Sequence, residues 1–269
     1  MKKNSLYIFL IVMAAVFSSC QEVISYDLDE STKQLVIDGM VTDQPGPYTV
    51  KLSLTGPYLK NAPTNRATGA MVIIRDNTGN TDTLAEQLPG EYKTTASFPK
   101  GEIGRTYELY VNYQNKVYTA SGEILPISNV DSLSYKYHEE SILYPENGYY
   151  VTMYAQEPAG KGNNYRFKFI VNGFFSNRAD RFIVVNDDFV DGNYITFTTP
   201  FPVALGDSVV LESQSFTKPA YDYYLALLFQ MNPNGFFDAP PANLPSNIKG
   251  GALGYFNTVA IKYNGIKIK

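Results

Sequence analysis

Tyr48-Thr49-Val50-Lys51-Leu52-Ser53-Leu54 is the stretch from which the fold can be read. Val50, Leu52 and Leu54 alternate with Lys51 and Ser53, so an extended chain puts the aliphatic groups on one face and the polar ones on the other, the pattern of a half-buried β-strand. Gly and Pro punctuate both sides, as Asp43-Gln44-Pro45-Gly46-Pro47 before it and Gly56-Pro57 after it. Such clusters make turns, because Pro presets φ and Gly admits φ values closed to other residues.

Working outward, the same signal recurs. Residues 35–37 with 40–41, 71–74, 83–86, 92–97, 107–113 and 117–124 are short β-rich runs, and Asp76-Asn77-Thr78-Gly79-Asn80-Thr81-Asp82 reads as a hairpin connection. Seven or eight strands spaced about 10–12 residues apart predict an immunoglobulin-like β-sandwich over residues 34–127. Leu125-Pro126-Ile127-Ser128 reads as a boundary. Beyond it a second β-rich domain is expected over 128–269, with strands at 130–137, 149–155, 165–171, 182–185, 194–198 and 208–216. One segment breaks the habit: Tyr221, Tyr224, Leu225, Leu228 and Phe229 recur at helical spacing, so a helix over 219–231, with Pro219 in its first turn, should cover the second sheet. The fold class expected is all-β, with one short covering helix.

The N-terminus carries the other strong signal. Lys2 and Lys3 precede an apolar run from Leu6 to Phe17, and Ser18-Ser19 then leads into Cys20, the only cysteine in the chain. The run is shorter than the ~20 residues that span a bilayer, so residues 1–19 read as a cleaved lipoprotein signal peptide. Cys20 then becomes the new N-terminus, where its thiol takes a diacylglyceryl group and its amine an acyl chain such as palmitate. Several acyl chains exceed the two-signal requirement for stable anchoring. Residues 20–33, acidic at Asp27, Asp29 and Glu30, read as a solvated tether, with a sorting or surface-export signal as the alternative.

Cleavage leaves 250 residues, with 20 basic against 26 acidic groups. That balance argues against a nucleic-acid partner. With Cys20 lipidated no thiol remains for a disulfide, and core burial alone must hold the fold. Tyr is abundant at 22 residues and Trp is absent, which favours strands over helices.

The lipoprotein signal, the segment Val36-Ile37-Asp38-Gly39-Met40-Val41-Thr42 with the Asp43–Tyr48 turn, Gly69-Ala70-Met71-Val72-Ile73, the helix at 219–230 and Leu253-Gly254-Tyr255-Phe256 together resemble the Bacteroidota lipoproteins of domain-of-unknown-function family 4249. The resemblance implies an outer-membrane lipoprotein, often encoded beside a TonB-dependent receptor; of the two sides of that membrane, the surface is expected in preference to the periplasm. It transfers no catalytic role to any residue.

Most enzyme chemistries lack their parts. His138 is the sole imidazole, so a His-based zinc site has too few ligands, and an exposed histidine beside Glu139 and Glu140 is the expectation. Asp187, Asp188 and Asp191 fall in Asn186-Asp187-Asp188-Phe189-Val190-Asp191-Gly192-Asn193, which reads first as a turn between strands and, as the alternative, as a Ca²⁺ site. Asn-Gly-Phe-Phe occurs twice, ending in Phe174-Phe175 and in Phe236-Phe237. These aromatics either plug the sandwich ends or stand exposed as partner anchors. Pro233, Pro240, Pro241 and Pro245 favour exposure of the second pair. The function expected is a non-enzymatic binding or accessory subunit of a TonB-dependent transporter barrel; a structural or assembly role and a glycan-active enzyme are the alternatives.

Overall fold

The computed structural model describes residues 33–56, 64–231 and 243–269, within a unit, Lys33–Lys269, that packs as one compact body. The chain is mainly β, with one α-helix among the described residues. The first part holds β1 (Leu35–Thr42), β2 (Thr49–Leu54), β3 (Asn65–Arg66), β4 (Met71–Asp76), β5 (Thr81–Thr83), β6 (Ala85–Leu88), β7 (Glu91–Lys93), β8 (Thr106–Tyr113) and β9 (Lys116–Glu123). The second holds β10 (Val130–His138), β11 (Gly148–Gln156), β12 (Asn164–Val171), β13 (Ile183–Asn186), β14 (Tyr194–Thr198), β15 (Ser208–Phe216), the helix α1 (Lys218–Met231), β16 (Leu253–Val259) and β17 (Ile261–Lys267).

Four sheets result, ordered β16-β1-β2-β7-β6 with β3 beside β2, β5-β4-β8-β9, β10-β11-β14 and β13-β12-β15-β17. Alternation in β1 and β2 buries Leu35, Ile37, Val41, Val50 and Leu52 against Val72 and Ile74 of β4 and Leu109 and Val111 of β8. The second pair of sheets encloses Val151 and Met153 of β11 with Phe167, Phe169, Val209 and Leu211. All of these side chains belong to one continuous apolar cluster. Burial of this kind, at about 25 cal/mol per Å² of apolar surface, is what replaces the missing disulfide.

Three features differ from the expectation. The run at 83–86 is not one strand: β5 and β6 lie in different sheets, and buried Leu84 marks the corner where the chain passes between them. The strand expected at 92–97 stops at Lys93, because Thr94 turns inward to accept the Tyr48 N–H on its hydroxyl at 2.8 Å. The part after residue 128 also does not keep to itself. β16 returns to the first sheet and pairs in parallel with β1, from Val36 opposite Leu253 to Thr42 opposite Val259. β16 carries no alternation, since Tyr255 through Val259 are all buried, and its partner lies more than 200 residues away in sequence.

Helix α1 lies over the outer face of the β12–β15 sheet. Thr217 caps its start, its hydroxyl accepting the Ala220 N–H at 3.3 Å. Ala220 and Tyr224 are buried, and Tyr223, Leu227, Leu228 and Met231 pack beside Phe182, Phe216 and Tyr255. Tyr221, Tyr224 and Leu228 of the expected stripe are thus covered, whereas Phe229 faces outward and Tyr223 and Leu227 join the packed face instead.

Candidate functional site: an open cleft at one end of the second sandwich

The first Asn-Gly-Phe-Phe stretch closes a tight turn at the end of β12. Asn172 and Gly173 take φ of 51° and 82°, and Val171 and Phe174 exchange both backbone hydrogen bonds at 3.0 and 2.9 Å. Two successive left-handed residues are what a two-residue hairpin turn requires, and Asn-Gly supplies them at little cost. The Asn172 side chain donates to Asp207 at 2.7 Å and accepts the Ser208 N–H at 3.0 Å. Asp207 in turn accepts the Ala204 N–H at 2.8 Å. This chain of bonds fixes the corner before β15, on which Leu205 stands exposed. The two phenylalanines divide. Phe174 is 82% exposed. Phe175 folds back, its ring 5.9 Å from the Arg166 guanidinium and 5.7 Å from the Lys168 ammonium.

Between this corner and the β10–β11 hairpin lies a cleft of about 420 Å³, lined by Tyr137, Tyr149, Arg181, Pro202, Leu205 and Asp207 among others. Arg181 ends a 3-10 turn, Ala179–Arg181, and lays its guanidinium 3.6 Å over the Phe201 ring. Its buried Nε has no hydrogen-bond acceptor among the described residues. The nearest carboxylate oxygen, on Asp180, is 3.9 Å away, and the other oxygen of that group is taken by Arg178 at 3.0 Å. Burial pushes the Arg181 pKa down, and Asp180 only partly counters it.

The hairpin beside the cleft is stiffened by stacked rings. His138 is half-buried, not exposed as the sequence suggests: its ring stacks on Tyr144 at 3.7 Å and meets Tyr150 edge-on at 5.8 Å. Ser141 donates its N–H to the Tyr144 carbonyl at 2.7 Å, Glu140 its N–H to the Asn147 amide oxygen at 2.8 Å, and Tyr150 its hydroxyl to the Glu146 carbonyl at 2.8 Å. Ile142 and Leu143 are left fully outward at the tip, between Glu139, Glu140 and Glu146.

The acidic turn sits at the opposite end of the β12–β15 sheet and has a different occupation. Asp187, 1% exposed, accepts the N–H groups of Gly162 at 2.9 Å and Asn163 at 3.0 Å. Asp191 accepts the Gly160 N–H at 2.7 Å, and Asp188 takes the Asn186 amide at 2.6 Å. The three carboxylates therefore serve separate donors, and Asp187 and Asp191 tie the segment after β13 to the loop before β12. Among the described residues, no three acidic, His or Cys side chains converge as metal ligands. Cys20, Phe236 and Phe237 lie outside the described residues.

Sequence reasoning singled out Phe174 and Phe175 but missed Arg181, Leu205 and the Ile142-Leu143 tip. An apolar pair between Glu140 and Pro145 was a readable signal for the tip. An isolated Arg181 offered none.

The two most distinctive sequence pieces prove to be structural. The Tyr48 hydroxyl shares its proton between the Thr42 and Gln44 carbonyls, at 2.7 and 2.8 Å, and accepts the Gly101 N–H at 2.8 Å. Burial pushes its pKa up to about 12, against the lowering effect of the Gly101 bond. Asp43 accepts the Ile261 N–H at 2.8 Å while Gln44 donates to the Ile261 carbonyl at 3.1 Å, so this turn clamps the corner joining β16 to β17. Leu253–Val259 is the strand that the clamp holds against β1. No curated protein matches the chain. Over residues 21–263, however, it matches the domain of unknown function DUF4249, and the chain belongs to that family.

Proposed function

We propose that this protein is a lipid-anchored, non-enzymatic binding subunit of the outer membrane that docks onto a TonB-dependent transporter barrel through the cleft end of its second sandwich. The observation that carries the reading is the group of outward-facing apolar side chains there: Phe174, Leu205 and the Ile142-Leu143 tip. Each stands on a framework held by hydrogen bonds or stacked rings. Apolar anchors that are already ordered lose little entropy on docking, so more of their burial appears as affinity. Glu139, Glu140 and Glu146 around the tip favour a basic rim on the partner. The signal ending in Ser19-Cys20 supports the anchor.

The test is extraction of the tagged native protein in mild detergent, with everything that co-elutes identified by mass spectrometry. A barrel protein recovered in near-stoichiometric amount is the expected result. A protein that carries acyl mass but elutes alone contradicts the docking, and one without acyl mass contradicts the anchor.

A further inference from the structure

We infer that the cleft beside Arg181 binds a carboxylate carried on an apolar body, such as an aromatic acid or the C-terminal residue of a peptide. The inference does not rest on the barrel-docking reading, since it concerns what fills the cleft and not what covers the end of the molecule.

The argument begins with the guanidinium. One face of Arg181 is closed by the Phe201 ring, which leaves its edge as the part able to bond a ligand. Among the described residues the buried Nε has no acceptor and its closest carboxylate stands 3.9 Å off, already shared with Arg178. A buried N–H without an acceptor is costly, and a planar fork on a fixed stack matches the two oxygens of a carboxylate. Tyr137 and Tyr149 are also in the lining, and their hydroxyls are donors that a carboxylate can use. The two rings meet edge-on at 5.3 Å, a firm wall.

The rest of the lining selects the body of the ligand. Val171, Pro202, Val203 and Leu205 are apolar. The volume of about 420 Å³ suits a small ligand or a single chain end. Charge selects further. Among the described residues Arg181 is the one cation in the lining, Asp207 is also there, and Glu146 is near enough to act on Arg181. There is no surplus of positive charge, so a doubly charged phosphate is disfavoured, and a carboxylate is favoured by the donor fork of Arg181 and not by net charge.

The experiment is calorimetric titration of the purified full-length protein in detergent with N-acetyl-phenylalanine and with N-acetyl-phenylalaninamide. A phenylalanine-ended peptide, in free-acid and amidated forms, makes a second pair. The acid should bind about tenfold or more tightly than its amide, and R181Q should erase the difference. R181K, which keeps the charge and loses the fork, should retain only part of it, and it serves as the reporter if R181Q does not fold. If the peptide acid binds as well as the small acid, the natural ligand is a chain end; if only the small acid binds, it is a free solute. Equal binding of acid and amide, an unchanged preference in R181K, or no saturable binding by any probe overturns the inference.

Discussion

Gly254 of β16 lies so close to Ile37 of β1 that a β-carbon at 254 would stand 2.0 Å from the Ile37 carbonyl oxygen. The two are register partners in the parallel ladder that joins the end of the chain to its start, and Gly254 takes a φ of 94°. Both facts require glycine. The tetrapeptide Leu253-Gly254-Tyr255-Phe256 is distinctive because it closes the fold.

Gly254→Ala should therefore destabilise the protein by more than about 2 kcal/mol in urea unfolding, from left-handed strain and the forced separation of the strands. Gly265 of β17 makes the control. A β-carbon there meets nothing nearer than 3.9 Å and its φ is ordinary, so Gly265→Ala should lie within about 0.5 kcal/mol of wild type.

Asp76 gives the acid limb of the stability curve. Burial pushes its carboxyl up, but bonds from Asn80 and Thr78, side chain and backbone, outweigh it and hold the pKa at about 2. A folded value below the unfolded one gives stability that is complete above about pH 4 and is lost as pH falls through about 2, on the order of 2 kcal/mol. Asp76→Ala should lower stability at neutral pH and flatten the slope between those limits. An unchanged slope would show that the turn holds without the charge.

Asp187→Asn tests the acidic turn. An amide oxygen can take both N–H groups where one carboxylate oxygen now does, but its NH2 would then face the Gly162 N–H, which also bonds the other oxygen at 3.0 Å, and the charge is lost, so stability should fall by about 1–3 kcal/mol. Calcium and chelator should leave the wild-type melting temperature where it is. A rise with calcium that Asp187→Asn abolishes would instead mark a metal site.

Arg166 is the buried cation of the second part, its guanidinium 4.6 Å from the Phe182 ring and 4.7 Å from that of Tyr224, with Nε unpaired. Burial depresses its pKa. Arg166→Met, which keeps the length and removes the charge, should be neutral or stabilising, whereas Phe182→Ala should cost about 3–5 kcal/mol. A loss beyond about 2 kcal/mol in Arg166→Met would mean that the ring contacts outweigh the desolvation.

Strand identity was legible wherever one face is buried and the other wet, as in β2, where Lys51 alternates with Val50 and Leu52. It failed where that contrast vanishes. In β16 the helix and β9 cover what the sheet does not, so Tyr255 through Val259 are all buried and no alternation survives. Pairing with β1 is also invisible locally, because parallel strands need no turn between them. The helix was readable from its period, but Phe229, the more apolar of the two, stands outward while Tyr223 is packed, because the position of the sheet decides which is covered. In the cleft, Asn172-Gly173 announced a turn and Phe174 an exposed aromatic. The value of Arg181 depends on Phe201 beneath it and on an Nε that Asp180, at 3.9 Å, does not hydrogen-bond, neither of which has a sequence signature.

The docking end is the central claim, and the variant Phe174→Ala with Leu205→Ala tests it most directly. Both side chains face outward, so the double variant should melt within about 0.5 kcal/mol of wild type, while Phe175→Ala, which uncovers Arg166 and Lys168, should lower stability. Co-purification of the barrel partner from outer membranes, quantified against wild type, should fall about tenfold or more in the double variant. Undiminished recovery of the partner with both side chains removed would contradict the account.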